Sequence, residues 1–281
     1  MISSSRPGVF SVCSPRQADR KMQPATNIVV AALRSEIARL ECRGAAACRE
    51  KVVSFGLEAV DAALPGGGLA LGTLHEVAGI GCQVEHCAAA SLLAAGLLAQ
   101  VPGEVLWVLE RADIHPPALA AGGLTPERVF YVHAHKPQTV LLVMEEAVRH
   151  GGLAGVVGEF SGALGLTASR RLQLAAEQSG VTAFLLRRSR CFDNPVLLEP
   201  SAAVTRWRVA TVPSGPPLVH GLRGPETPGL GRPRWRLDLI RCRGGEAHSW
   251  IVEAFDATGR CRLVADLADR PAAAEPRCAV A

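Results

Sequence analysis

The sequence predicts an α/β protein, a mostly parallel sheet buried by helices on both faces. Three observations lead there. Short runs rich in Val and Leu alternate with helical segments at the spacing of strand–helix–strand units. Hydrophobic residues make up 48% of the 281, enough for a sizeable core. Aromatic residues make up only 4%, so Ala, Leu, Val and Gly must fill that core. Such residues suit helices packed closely on a buried sheet better than an aromatic-rich sandwich.

Residues 1–26 are rich in Ser, Pro and Arg and read as a disordered leader, within which Met22 offers a second start. Residues 27–50 hold an N-terminal helix over 27–42, with Ile28, Ala31, Ala32, Ser35, Ile37 and Leu40 on one stripe. This helix either packs on the chain's own core or docks on a partner. The core spans 51–212. It opens with a strand at 52–55 and a short helix at 57–64 that stops at Pro65. A turn at Gly66-Gly67-Gly68 follows. Thr73 to Ala78 is a buried strand, Gly79 to Gln83 a glycine-containing loop, and Val84 to Ala99 an Ala/Leu helix. Strands follow at 104–110, 129–134, 155–160 and 182–186, and helices at 139–150 and 169–180. Parallel order would bring the strand C-termini, with their loops and acids, to one edge. Beyond Ala202 the pattern changes to Arg-rich strands at 204–212, 234–241 and 249–255. A Pro/Gly-rich loop at 213–233 reads as mobile, residues 234–267 complete the core, and 268–281 read as a disordered tail.

Net charge is +4, a mild excess that does not by itself indicate nucleic acid. Three lysines stand against 27 arginines, a split that a coding preference for Arg explains. Nine cysteines are scattered without any CxxC pair or zinc spacing, which points to a reducing compartment. The first 24 residues hold no apolar run of signal-peptide type, and the longest apolar stretch, 88–99, is too short to span a bilayer. A cytoplasmic location without membrane attachment is expected. His75, His86, His133 and His135 fall into no known ligand spacing, so no metal is expected, and no G-x-S-x-G marks a hydrolase.

The segment from Phe55 to Gly79, FGLEAVDAALPGGGLALGTLHEVAG, resembles the entry of RecA-like proteins. More closely it resembles the ImuA family of damage-inducible mutagenesis proteins, as does the late segment RWRLDLIRCRGGEAHSWIVE from Arg234 to Glu253. With the strand–helix order between them, the likeness spans about residues 27–256. The resemblance implies a RecA-like core and a place in damage-induced translesion synthesis. Its implied partners are a catalytically inactive Y-family polymerase homologue and an error-prone replicative-type DNA polymerase, with RecA and single-stranded DNA as further candidates.

One loop decides the chemistry. A working phosphate loop reads GxxxxGK[ST]: its backbone N–H groups cradle the phosphates, its Lys reaches the outer ones and its hydroxyl binds Mg²⁺. Here the run starts at Gly79 and passes Gly81, then places Val84, Glu85 and His86 where Gly, Lys and Ser/Thr belong. An ion pair at ~4 Å is worth roughly 4 kcal/mol at an effective dielectric near 20, so exchanging Lys for Glu removes several kcal/mol. A helix N-terminus returns only about 0.3–1 kcal/mol. No tight ATP binding and no cofactor are expected. The strand-end acids Glu110 and Glu159 stand near positions where RecA-like ATPases orient water and metal; without Lys and a hydroxyl they do not make an ATPase, and they read either as strand-end acids that cap loops and face solvent or as relics of a weak site.

Basic candidates for contact with single-stranded DNA are Arg187, Arg188, Arg190, Arg206, Arg208, Arg241 and Arg243, with Trp207 as a stacking residue. The plain alternative is that alternating Arg forms the solvated face of an edge strand. A non-catalytic adaptor is therefore the leading expectation. Its rivals are an ATP-dependent RecA-type recombinase and a cell-division inhibitor of the SulA type.

Overall fold

The computed structural model describes residues 51–189, 199–214 and 231–264. The expectations for the leader, the helix at 27–42, Arg190, most of the 213–233 loop and the tail fall outside them.

The elements in chain order are β1 (Val52–Val53), α1 (Glu58–Asp61), β2 (Leu69–Ala70), β3 (Leu74–Gly79), α2 (Val84–Ala99), β4 (Val105–Leu109) and α3 (Pro116–Ala121). They continue with β5 (Val129–His133), α4 (Pro137–His150), β6 (Gly155–Phe160), α5 (Leu166–Ser179), β7 (Thr182–Arg187) and β8 (Thr205–Val212), then β9 (Arg234–Cys242), β10 (His248–Glu253) and β11 (Arg262–Leu263). β1 and β2 form a small antiparallel pair. The other nine strands form one sheet in the order β11-β10-β9-β8-β3-β7-β6-β4-β5. From β8 to β5 all neighbours are parallel; β8 to β11 are antiparallel. The RecA-like α/β class expected from the sequence is the class observed.

Physical reasons for the layers are direct. Every residue of β3, β6 and β7 is buried, as strands covered on both faces must be. α2 lies on one face, with Ala89, Ala90, Leu93, Ala94, Leu97 and Leu98 buried against Trp107, Val157, Phe184, Trp207 and Val209. Its small side chains let a nearly all-round apolar helix sit deep in the molecule. α4 and α5 cover the other face through Val140, Met144 and Val148 and through Leu172, Ala175 and Ala176. Pro137 supplies the first turn of α4, and glycines 151 and 180 end α4 and α5 in the left-handed region open to Gly. Between these helices, Arg171 and Arg149 both reach the buried Glu145, at 2.7 and 2.5 Å.

Proline and propensity account for two boundary differences. α4 starts at Pro137, not 139, because Pro is well placed at a first helical position. α5 starts at Leu166, not 169, and the Ser169 hydroxyl donates to the Leu166 carbonyl inside its first turn. β2 and β11 are two-residue strands too short to leave a periodic signal.

Candidate functional site

The carboxyl edge of the parallel strands gathers the candidate residues. β3 runs into the loop at Gly79, which lies close against the first turn of α2. A Cβ on Gly79 would stand 2.6 Å from the His86 carbonyl carbon and 2.7 Å from the Cys87 nitrogen. Only glycine permits that approach. The Ile80 N–H donates to the Val209 carbonyl at 3.0 Å, tying the loop to β8. Gly81 occupies the left-handed region at φ +64°. Val84 and Glu85 are exposed on the first turn of α2, and Val84 keeps 77% of its surface in water. The His86 ring turns toward β8: its Nδ1 accepts the Thr211 N–H at 3.1 Å, with the Thr211 hydroxyl 2.8 Å away.

Both strand-end acids are bonded within the chain. Glu110 accepts the Ser161 N–H at 2.9 Å and its hydroxyl at 2.6 Å, bridging the ends of β4 and β6. Glu159, 1% exposed, accepts the Trp107 indole N–H at 3.3 Å and the Arg188 guanidinium at 2.8 Å. Arg188 also makes a forked pair with Asp113, at 3.2 Å to each oxygen. Burial pushes the Glu159 carboxyl above its ordinary range, with Arg188 pulling the other way. The Cys87 thiol in the first turn of α2 is raised by burial, and the charge of Arg188 opposes that rise. Asp113 is a member of this cluster that sequence reasoning missed; it lies in an irregular loop, where periodicity carries no information.

The first turn of α2 thus presents the exposed Glu85 carboxylate and an imidazole bonded to β8, and Glu159 holds a guanidinium. Within the described residues no group of three or more His, Cys, Asp or Glu could hold a metal ion. His133 and His135 do meet, with ring centroids 4.1 Å apart.

Three of the arginine-rich candidates need correction. Arg187 and Arg206 are 2% and 5% exposed, and Trp207 is 1% exposed in the core against Phe55. The two guanidiniums close on the fully buried Glu76 of β3: Arg206 Nη2 stands 3.3 Å and Arg187 Nη1 3.7 Å from Glu76 Oε2. Ser201 Oγ donates to the other Glu76 oxygen, and Arg187 Nη2 reaches Glu199 Oε2 at 2.7 Å. These side chains present no surface to a nucleic acid. Arg188 is three-quarters buried and committed to Glu159 and Asp113. Arg208, Arg241 and Arg243 are exposed; Arg208 pairs with Asp238, Arg241 donates to the Ser201 carbonyl, and Arg243 donates to that of Ala202 and pairs with Glu177.

A mostly parallel sheet under helices, with a glycine loop feeding a buried helix and acids along its carboxyl edge, defines a RecA-like fold. The crystal structure of the RadB recombinase shares this fold, with a TM-score of 0.51 and 18% identity over 76% of this chain and 100% of that one. No family model matches the chain. Over 234 residues it is 42% identical to Protein ImuA of Caulobacter vibrioides (strain NA1000 / CB15N), covering 79% of this chain and 93% of the relative. The same protein of a second strain of that species matches equally well. The chain belongs to the ImuA family. Among the described residues no helix is long and apolar enough to cross a membrane.

Proposed function

We propose that this chain is a non-catalytic adaptor of damage-induced translesion synthesis and mutagenesis, working in the cytoplasm without a nucleotide. The observation that carries the reading is the carboxyl edge itself. The loop lacks every side chain that grips a triphosphate, and both acids that would serve water or metal are bonded to Ser161, Trp107 and Arg188. Membership of the ImuA family supports the mutagenesis role. The partners that fit are the Y-family polymerase homologue, the error-prone replicative-type polymerase and RecA. A fold retained without its nucleotide chemistry suits an interaction protein, because function resides in sites and not in folds. The test is mutation frequency after ultraviolet damage in a deletion strain, with wild-type and Glu85→Lys/His86→Thr complements. Deletion should abolish induced mutation without slowing growth, and wild type should restore it. Unchanged mutagenesis sinks the reading. Filamentation on overproduction would favour the division-inhibitor rival, and DNA-stimulated ATPase activity the recombinase.

Contact with single-stranded DNA is a second reading, favoured by how charge is segregated. Residues 199–264 hold ten arginines against six acids, whereas residues 51–189 hold nine basic residues against twelve acids. The excess therefore lies on the antiparallel extension of the sheet, where Arg208, Arg241 and Arg243 are exposed. Replacing all three by Ala should flatten the salt dependence of oligonucleotide binding by about 2 in log–log slope, at roughly 0.7 for each phosphate no longer neutralised. Fluorescence anisotropy across a salt series reads this, and an unaltered slope removes these arginines from the interface.

A further inference from the structure

The geometry points to Arg188 as a built-in occupant of the crevice in which a phosphate and its metal would sit. The nucleotide site is then filled from within as well as stripped of its ligands. This inference rests on the nucleotide-free reading above and extends it.

Strand register places the side chain. β7 lies between β3 and β6, and Ala78 pairs with Arg187, so the next residue along β7, Arg188, falls beside Gly79 at the start of the loop. The Arg188 N–H donates to the Phe160 carbonyl at 2.9 Å, extending the β6–β7 ladder by one step. Side chains alternate along a strand, so Arg188 shares the face of Leu186 and Phe184, which is the face that packs under α2. Glu159 of β6 meets it on that same face, and Trp107 of β4 donates its indole N–H to the other Glu159 oxygen. The guanidinium thus lies below the loop and the first turn of α2, at the carboxyl edge where ligands of doubly wound sheets bind. There it is clamped by Glu159 from one side and by both Asp113 oxygens from the other. A permanently charged, planar, forked group satisfies two carboxylates that a divalent metal would otherwise have to satisfy. A metal cannot reach Glu159 while Arg188 holds it.

The consequence is that repairing the loop does not restore the site. Four full-length proteins decide this by titration with MgATP under isothermal calorimetry: the native chain, Arg188→Met, the loop repair Val84→Gly/Glu85→Lys/His86→Thr, and the loop repair combined with Arg188→Met. Circular dichroism and a thermal midpoint confirm that each is folded. If removing the cation from above Glu159 prevents folding, Arg188→Gln takes its place, since the amide still donates to the buried carboxylate. The combined variant should bind MgATP at least about tenfold more tightly than the loop repair alone. Equal affinity of these two, or no binding by either, overturns the role of Arg188. Tight binding by the native chain overturns the nucleotide-free reading itself, so the two failures are told apart.

Discussion

Glu76→Ala should cost about 3–5 kcal/mol of stability, the range for breaking a buried ion pair by removing one partner. Glu76 is completely buried, and the guanidiniums of Arg187 and Arg206 both converge on its Oε2. Without that carboxylate the two buried cations keep one nearby acid, Glu199, which pairs with Arg187 and whose side chain is a third exposed, while Arg206 reaches only its backbone carbonyl. Arg187 Nε and Nη1 and Arg206 Nε already lack a hydrogen-bond partner among the described residues, so the cluster has no spare acceptor to offer. The loss is a large share of the roughly 5–15 kcal/mol that holds a domain together. Urea denaturation at neutral pH measures it. Replacing the three buried ionic residues together, by Glu76→Leu, Arg187→Met and Arg206→Met, and leaving the partly exposed Glu199 to water, should recover most of the loss, because apolar groups of similar size remove the desolvation cost along with the attraction. A loss below about 1 kcal/mol in Glu76→Ala would refute the account of a buried charge cluster.

The same cluster shows where the sequence is legible. Thr73 to Ala78 reads as a buried strand, and β3 is one. Its two polar residues, His75 and Glu76, announce that partners must exist, since buried polar groups are hydrogen-bonded. Which partners is not readable: besides Ala70 and Thr73 nearby, they are Thr205, Arg206, Arg187 and Ser201, more than 100 residues away in sequence. Alternation along β8 correctly separates the arginines from Trp207. Alternation does not say which part of a face is covered, and the segment carrying Glu199 and Ser201 covers Arg206 while leaving Arg208 in water. The positions of the loop between β3 and α2 and of the acids at the ends of β4 and β6 were legible because strand, glycine loop and helix follow one another at short fixed spacing. Asp113 and the turn of Arg188 toward Glu159 were not, because they depend on the lateral order β3-β7-β6-β4, which spacing does not encode.

Acidification from pH 6.5 to about 4 should cost about 3 kcal/mol through His75 alone. Burial lowers its pKa from 6.5 to about 4, partly opposed by the hydrogen bond to the Ala70 carbonyl. Burial holds the ring neutral, and its neighbours satisfy the neutral form. The Trp207 indole N–H donates to the Thr205 hydroxyl at 2.8 Å, and that hydroxyl stands 2.8 Å from His75 Nδ1. Nε2 then carries the proton toward the Ala70 carbonyl, also at 2.8 Å. Above pH 6.5 folded and unfolded chains both carry the neutral ring. Between 6.5 and 4 only the unfolded chain takes up the proton, so stability falls as pH falls, at about 1.36 kcal/mol per unit, and the loss levels off below the folded pKa. Glu159 works in the opposite sense, because its raised pKa lets the folded chain take its proton first. The difference between native and His75→Gln proteins therefore isolates the histidine. Urea midpoints at several pH values from 7 to 4 should fall more steeply for the native chain than for the variant. Parallel curves would mean that burial does not hold His75 neutral.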